Sequence, residues 1–103
     1  MKTGEALHLI LASSAEVARE HAVCALSPLD EYDREHGGDL RRTLATYLAS
    51  GCNASKTAGE LYLHRSGLLY RLRRIETLLG LNLDNFEVRT ALSIAVISGQ
   101  QPE

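Results

Sequence analysis

Four arginines, a histidine, a serine and a tyrosine crowd into His64–Arg74, the run His-Arg-Ser-Gly-Leu-Leu-Tyr-Arg-Leu-Arg-Arg. A guanidinium is a planar fork of donors that fits phosphate oxygens and the outer edge of guanine, while hydroxyls bond to either. The chemistry on offer is recognition of a polyanion. It is not catalysis: no histidine has an acid or a nucleophile at a recognisable spacing, no glycine-rich phosphate loop occurs, and no pair of carboxylates converges on a predicted cleft.

These side chains need a scaffold, and the intervening residues describe one. At about 100° per residue, Leu68, Leu72, Ile75 and Leu79 share a narrow arc, which predicts a helix over about 65–79 with those four turned inward. Ser66, Tyr70 and Arg73 then lie near the opposite meridian, with Arg74 and Gly67 to one side and Leu69 to the other. Arg71 sits nearer the core edge, where pairing with an acid of the first or last helix and contact with a ligand are both open. His64 stands at the N-cap position and Gly80 at the left-handed C-cap. A shorter helix precedes, opened by Asn53 as N-cap and running to about Leu61, with small Ala58 where two helices must approach. Tyr62-Leu63-His64 is the bridge. A turn this tight often wants glycine for a positive φ, so either the turn avoids that conformation or Tyr62 bears strain. Two helices on so short a turn outline a helix-turn-helix whose second helix enters the DNA major groove.

The run DLRRTLATYLASGCNASKTAGELYLHRSGLLYRLRRIETLLGLNLDNFEVRTALSIAV resembles the C-terminal DNA-binding domain of the PucR/CdaR family of bacterial transcription regulators, and LSPLDEYDREHGGDL is similar to its lead-in. An Asn-capped helix, His-Arg, then Leu-x-Tyr-Arg-Leu carries the likeness. The sequence departs from the family pattern at Ser66-Gly67, where Asn-Thr is usual, and at Phe86, where Pro is usual. Gly67 removes a hydroxyl contact and loosens the first helical turn by roughly 0.5–1 kcal/mol relative to Ala. The resemblance implies sequence-specific binding of double-stranded DNA in transcription control. His64, Arg65, Ser66 and Gly67 would enter the groove first. Tyr70 and Arg73 would meet bases or sugars, Arg74 phosphate, and Lys56 and Thr57 the backbone from the preceding helix. The alternative is a helical module that binds protein and not DNA. Leu69 and Tyr70 keep that reading open, whereas a basic outer face argues for DNA.

Composition agrees with a small all-α domain built on the helix-turn-helix, with about five helices. The chain has 103 residues, 45% hydrophobic, with five aromatics and no Trp. Its net charge of −2 misleads until it is divided. Residues 1–40 hold three Lys/Arg against eight Asp/Glu, residues 41–74 seven against one, and residues 75–103 one against four. A basic middle between acidic ends is a focused field, and the local field steers a polyanion. Cys24 and Cys52 are read as small core residues in a reducing compartment. With His36 and His64 they match no zinc-ligand spacing, so no metal or cofactor is expected. No run of about 18 apolar residues occurs, no secretory signal is visible, and the default location is the cytoplasm.

The remaining segments are supports. Residues 1–29 read as a helical lead-in from an upstream region and 30–103 as the helix-turn-helix domain. Met1–Gly4 is taken as disordered or a remnant, and Ala6–Ala12 as a strand or a buried helical turn. Ser13 with Glu16 forms a capping box for a helix that buries Val17, Ala18, Ala22 and Leu26 and that Pro28 ends. Asp30–Gly38 reads as an acidic linker facing away from DNA, with Tyr32 packed inward. Asp39 would cap a helix over Leu40–Ser50 that buries Leu40, Leu44, Tyr47 and Leu48 and closes at Gly51. Arg41 and Arg42 in its first turn are either phosphate-facing or solvated. Asn85 caps a last helix from Phe86 with Val88, Leu92, Ala95 and Val96 inward. Ile94 and Ile97 lie on its other side, covered by a second subunit, by an upstream domain, or by the N-terminal helix. A homodimer is expected from that second face and from the short reach of one reader helix. The upstream region is expected to be sensory.

Overall fold

Leu26 and Leu29 stand on either side of Pro28, both are fully buried, and they belong to one unbroken helix. The computed structural model describes residues 15–99, with side-chain surroundings over 24–97. Its helices are α1 (Ala15–His36), α2 (Leu40–Ala49), α3 (Ala54–Glu60), α4 (Arg65–Leu79) and α5 (Phe86–Gly99). The expectations for Met1–Gly4, Ala6–Ala12, the Ser13 capping box and the burial of Val17, Ala18 and Ala22 lie outside the described residues and side chains.

The expected stop at Pro28 is corrected. Proline removes the N–H that would bond to the carbonyl four residues back, a loss that usually breaks a helix. Here the Ser27 hydroxyl donates to that carbonyl, Cys24 O, at 3.0 Å, and the two buried leucines hold both halves to one core. The supposed linker is therefore helical as far as His36. Gly37 ends it at φ +60°, with Gly38 N–H donating to Asp33 O at 3.2 Å.

A second correction follows from the extra turns. Asp39 occupies the N-cap position of α2 but makes no side-chain cap. The Asp33 carboxylate reaches across instead, accepting from Leu40 N–H at 2.8 Å and Arg41 N–H at 3.1 Å. A negative group at a helix N-terminus also complements the macrodipole. The Arg41 guanidinium pairs with Asp30 of α1 at 2.8 Å and that of Arg42 with Asp39 at 3.5 Å, so both arginines have acidic partners within the chain. Replacing Asp33 with Ala is expected to cost about 1–2 kcal/mol, the upper part of the range for a lost cap, and Asp39→Ala about 0.5 kcal/mol or less. Denaturant unfolding of the two variants checks this; an equal cost for both would return the capping role to Asp39.

One core joins the five helices. Leu26, Leu29, Leu44, Leu68, Ile75 and Leu92 are fully buried, and Leu40, Tyr47, Leu72, Leu79 and Val96 nearly so. Burial pushes the Tyr47 phenol above its ordinary pKa. The inner face of α2 includes buried Thr43, while Leu48 is only half-buried. α1 packs most extensively on α5. Asn85 caps α5, its side chain accepting from Val88 N–H at 3.1 Å. Ile94 packs against the core, but Ile97 is 70% exposed, so among the described residues the expected second face of α5 is only half covered. Phe86, at the first helical position, is exposed, so a proline there would remove no packing. Cys24 and Cys52 are half-buried. No helix among the described residues is long and apolar enough to cross a membrane.

Candidate nucleic-acid interface

The turn between α3 and α4 sets the second of these helices on the first. Asn53 caps α3 as its residue type predicts, accepting from Lys56 N–H at 3.0 Å. At the other end, Leu63 N–H donates to Ala58 O at 2.9 Å and Tyr62 N–H to Gly59 O at 3.3 Å, the paired bonds of a Schellman closure. That closure demands a left-handed residue, and Tyr62 supplies it at φ +56°. Its ring is 95% exposed. Tyr62→Gly should therefore raise stability by about 0.5–1 kcal/mol, relief of the left-handed strain outweighing glycine's extra chain entropy. A denaturant midpoint that fails to rise would mean that the ring has a stabilising contact. Cys52 is likewise left-handed, at φ +62° after Gly51 at +71°, a second strained position with no local signature.

α4 is oriented as its leucine spacing predicts. Leu68, Leu72, Ile75 and Leu79 are its buried residues, and Gly80 closes it at φ +67°. His64, Arg65, Ser66, Tyr70, Arg73 and Arg74 are exposed, with Tyr70, Arg73, Arg74 and Thr77 around a shallow hollow on the outer face. His64 is in N-cap position but makes no side-chain cap. The first bond back into the helix is Leu68 N–H to His64 O at 3.1 Å. The earlier N–H groups of α4 accordingly point out of the helix beside Arg65, an arrangement suited to an anion. Gly67 is half-buried, yet a Cβ built on it meets nothing within 4 Å, so its missing side chain reflects no steric need.

Thr57 leaves the candidate set. It is fully buried, its hydroxyl donating to Asn53 O at 2.7 Å and lying 2.8 Å from Ser50 Oγ. Those bonds tie α3 to the end of α2, so the side chain cannot reach a phosphate. Lys56, one residue earlier, is exposed. Arg71 turns inward and its guanidinium donates to Thr43 Oγ1 of α2 at 3.2 Å; of the two open alternatives this is pairing within the chain, with a hydroxyl of α2 in place of an acid of the first or last helix. Leu69 is half-buried against the core, which leaves Tyr70 as the outward aromatic of α4.

α1 contributes a feature that sequence reasoning missed. The Arg74 guanidinium lies over the Tyr32 ring, 5.6 Å from its centroid. His36 stacks on the same ring at 4.3 Å between centroids and 19° between planes. Polar contact with Tyr70 first, and with Tyr32 after it, raises the Arg74 pKa. Nothing local signals a contact between residues so distant in the chain; only the inward expectation for Tyr32 pointed that way.

A family model described as the PucR C-terminal helix-turn-helix domain matches residues 40–97. Among curated proteins, the chain is 42% identical over 62 residues to the carbohydrate diacid regulator of Escherichia coli K12, covering 60% of this chain and 16% of that protein. It is 42% identical over 57 residues to the purine catabolism regulatory protein of Bacillus subtilis 168, covering 55% and 11%. It is 32% identical over 65 residues to the DNA-binding transcriptional activator AdeR of the same organism, covering 63% and 15%. The chain thus spans less than a fifth of the length of these relatives. No solved structure matches it.

Proposed function

The chain belongs to the family of PucR C-terminal helix-turn-helix domains and is a DNA-binding regulatory domain, and on that premise we propose that it reads a specific duplex sequence by laying α4 in the major groove. The observation that carries the reading is the division of α4 into a buried Leu68/Leu72/Ile75/Leu79 stripe and an exposed face of Ser66, Tyr70 and Arg73. His64, Arg65, Ser66 and Gly67 enter the groove first, and Tyr70 and Arg73 follow onto bases or sugars. Lys56 and Arg74 meet phosphates. The basic outer face favours DNA over a protein dock, whose centre is usually poor in charge. No catalytic role is assigned to it.

The relatives are longer than this chain; here, residues upstream of the domain would carry the signal that controls it, and it would act in the cytoplasm. One reader helix spans few base pairs, so two copies on paired half-sites are proposed. Ile97, exposed beside Leu48 and Ala49, is consistent with a second copy there. The test is titration onto random-sequence duplex DNA at two salt concentrations. Several phosphate contacts predict a loss of orders of magnitude between low and moderate salt, whereas salt-insensitive or absent binding would reject the reading.

A further inference from the structure

Resting on the DNA-binding reading, we infer that Tyr32 of α1 is a positioning residue that presents the Arg74 guanidinium to a DNA phosphate, so that the interface begins in the lead-in helix and not at α2. A surface arginine ordinarily samples many rotamers and loses that freedom on binding. Arg74 is exposed but held beforehand, its guanidinium lying on the Tyr32 face at 5.6 Å. The platform itself is fixed. Tyr32 is half-buried against the core, and His36 stacks on it at 4.3 Å. The neighbouring Asp33 is bonded to two N–H groups of α2.

The surroundings show what the ring prevents. Glu31 and Glu35 border the same hollow as Tyr32, His36 and Arg74. Either carboxylate would draw a loose guanidinium back onto α1, yet the ion pairs of the described residues join neither to Arg74. The aromatic face keeps the cation without neutralising it, because a ring quadrupole carries no net charge. An ion pair would occupy the same guanidinium and cancel the charge a phosphate needs. Tyr32 lies outside the span matched by the family, residues 40–97, so α1 adds to the reader a part which that span lacks.

The experiment is affinity for random-sequence duplex DNA, measured with the full chain and four variants, beside thermal unfolding of each. Tyr32→Leu is expected to bind about two- to five-fold more weakly, the range for an exposed cation–π contact, and Tyr32→Phe to bind as the parent does. In an Arg74→Ala background, Tyr32→Leu should change affinity no further. A weakening that persists at full size without Arg74, or a folded Tyr32→Leu protein of unchanged affinity, overturns the inference. If Tyr32→Leu fails to fold, proton chemical shifts of Arg74 in the parent decide. Side-chain resonances displaced upfield by the ring support the arrangement, and shifts equal to those of an unstructured arginine overturn it. A parent protein that binds no duplex overturns the proposed function and this inference with it; binding without the Tyr32 effect overturns the inference alone.

Discussion

Leu72→Ala is expected to cost about 2–5 kcal/mol of folding free energy, the range for deleting a buried leucine side chain. Leu72 is 7% exposed and lies in the α4 stripe between the fully buried Leu68 and Ile75. Truncation there removes apolar contacts from the surface that α4 turns to the rest of the core. A domain of this size has only about 5–15 kcal/mol in total, so the variant should melt many degrees lower, at about 4–8 °C per kcal/mol. Denaturant and thermal unfolding measure it directly. A Leu72→Ala protein as stable as its parent would mean that α4 is rotated about its axis, and the outward placement of Arg73 would be lost with it.

Arg73→Ala is expected to do the opposite: little to stability, about 1–3 kcal/mol to recognition. Arg73 is exposed, and its guanidinium has no hydrogen-bond or ion-pair partner among the described residues. Surface changes of that kind usually shift stability by no more than about 0.5 kcal/mol. If Arg73 reads a base edge, its loss should weaken binding to the preferred duplex and reduce discrimination against a duplex changed at one base pair. If it meets phosphate alone, all duplexes weaken together and the salt slope falls by about 1. Competition between two duplexes at fixed salt separates these outcomes; unchanged discrimination rejects the base-reading role.

How far these features could be foreseen depends on how local their causes are. The leucine stripe of α4, the Asn53 and Asn85 caps and the Gly80 closure each involve residues within a few positions of one another. Pattern and residue type alone made them visible. Pro28 misled because a breaker's effect depends on what its neighbours repair, here the Ser27 hydroxyl and two buried leucines. Asp39 misled because the better-placed carboxylate, Asp33, became available only once α1 was longer than expected. Thr57 looked like a phosphate contact from its place near a helix N-terminus, but the end of α2 covers it and uses its hydroxyl.

By itself the sequence determined that this chain is helical, that α4 turns Leu68, Leu72, Ile75 and Leu79 inward and Arg73 outward, and that positive charge gathers in its middle. Those properties follow from helical periodicity and the order of charges, neither of which needs a distant partner. Only the tertiary structure decided which polar groups are already spent and which remain free for DNA. Arg71 goes to Thr43, Arg41 to Asp30 and Thr57 to Ser50, whereas Arg74 rests on Tyr32 with its charge intact. The reason is that a hydrogen bond or cation–π contact exists only where packing brings its two groups within a few ångströms. Helices far apart in the chain meet at distances that no local pattern records.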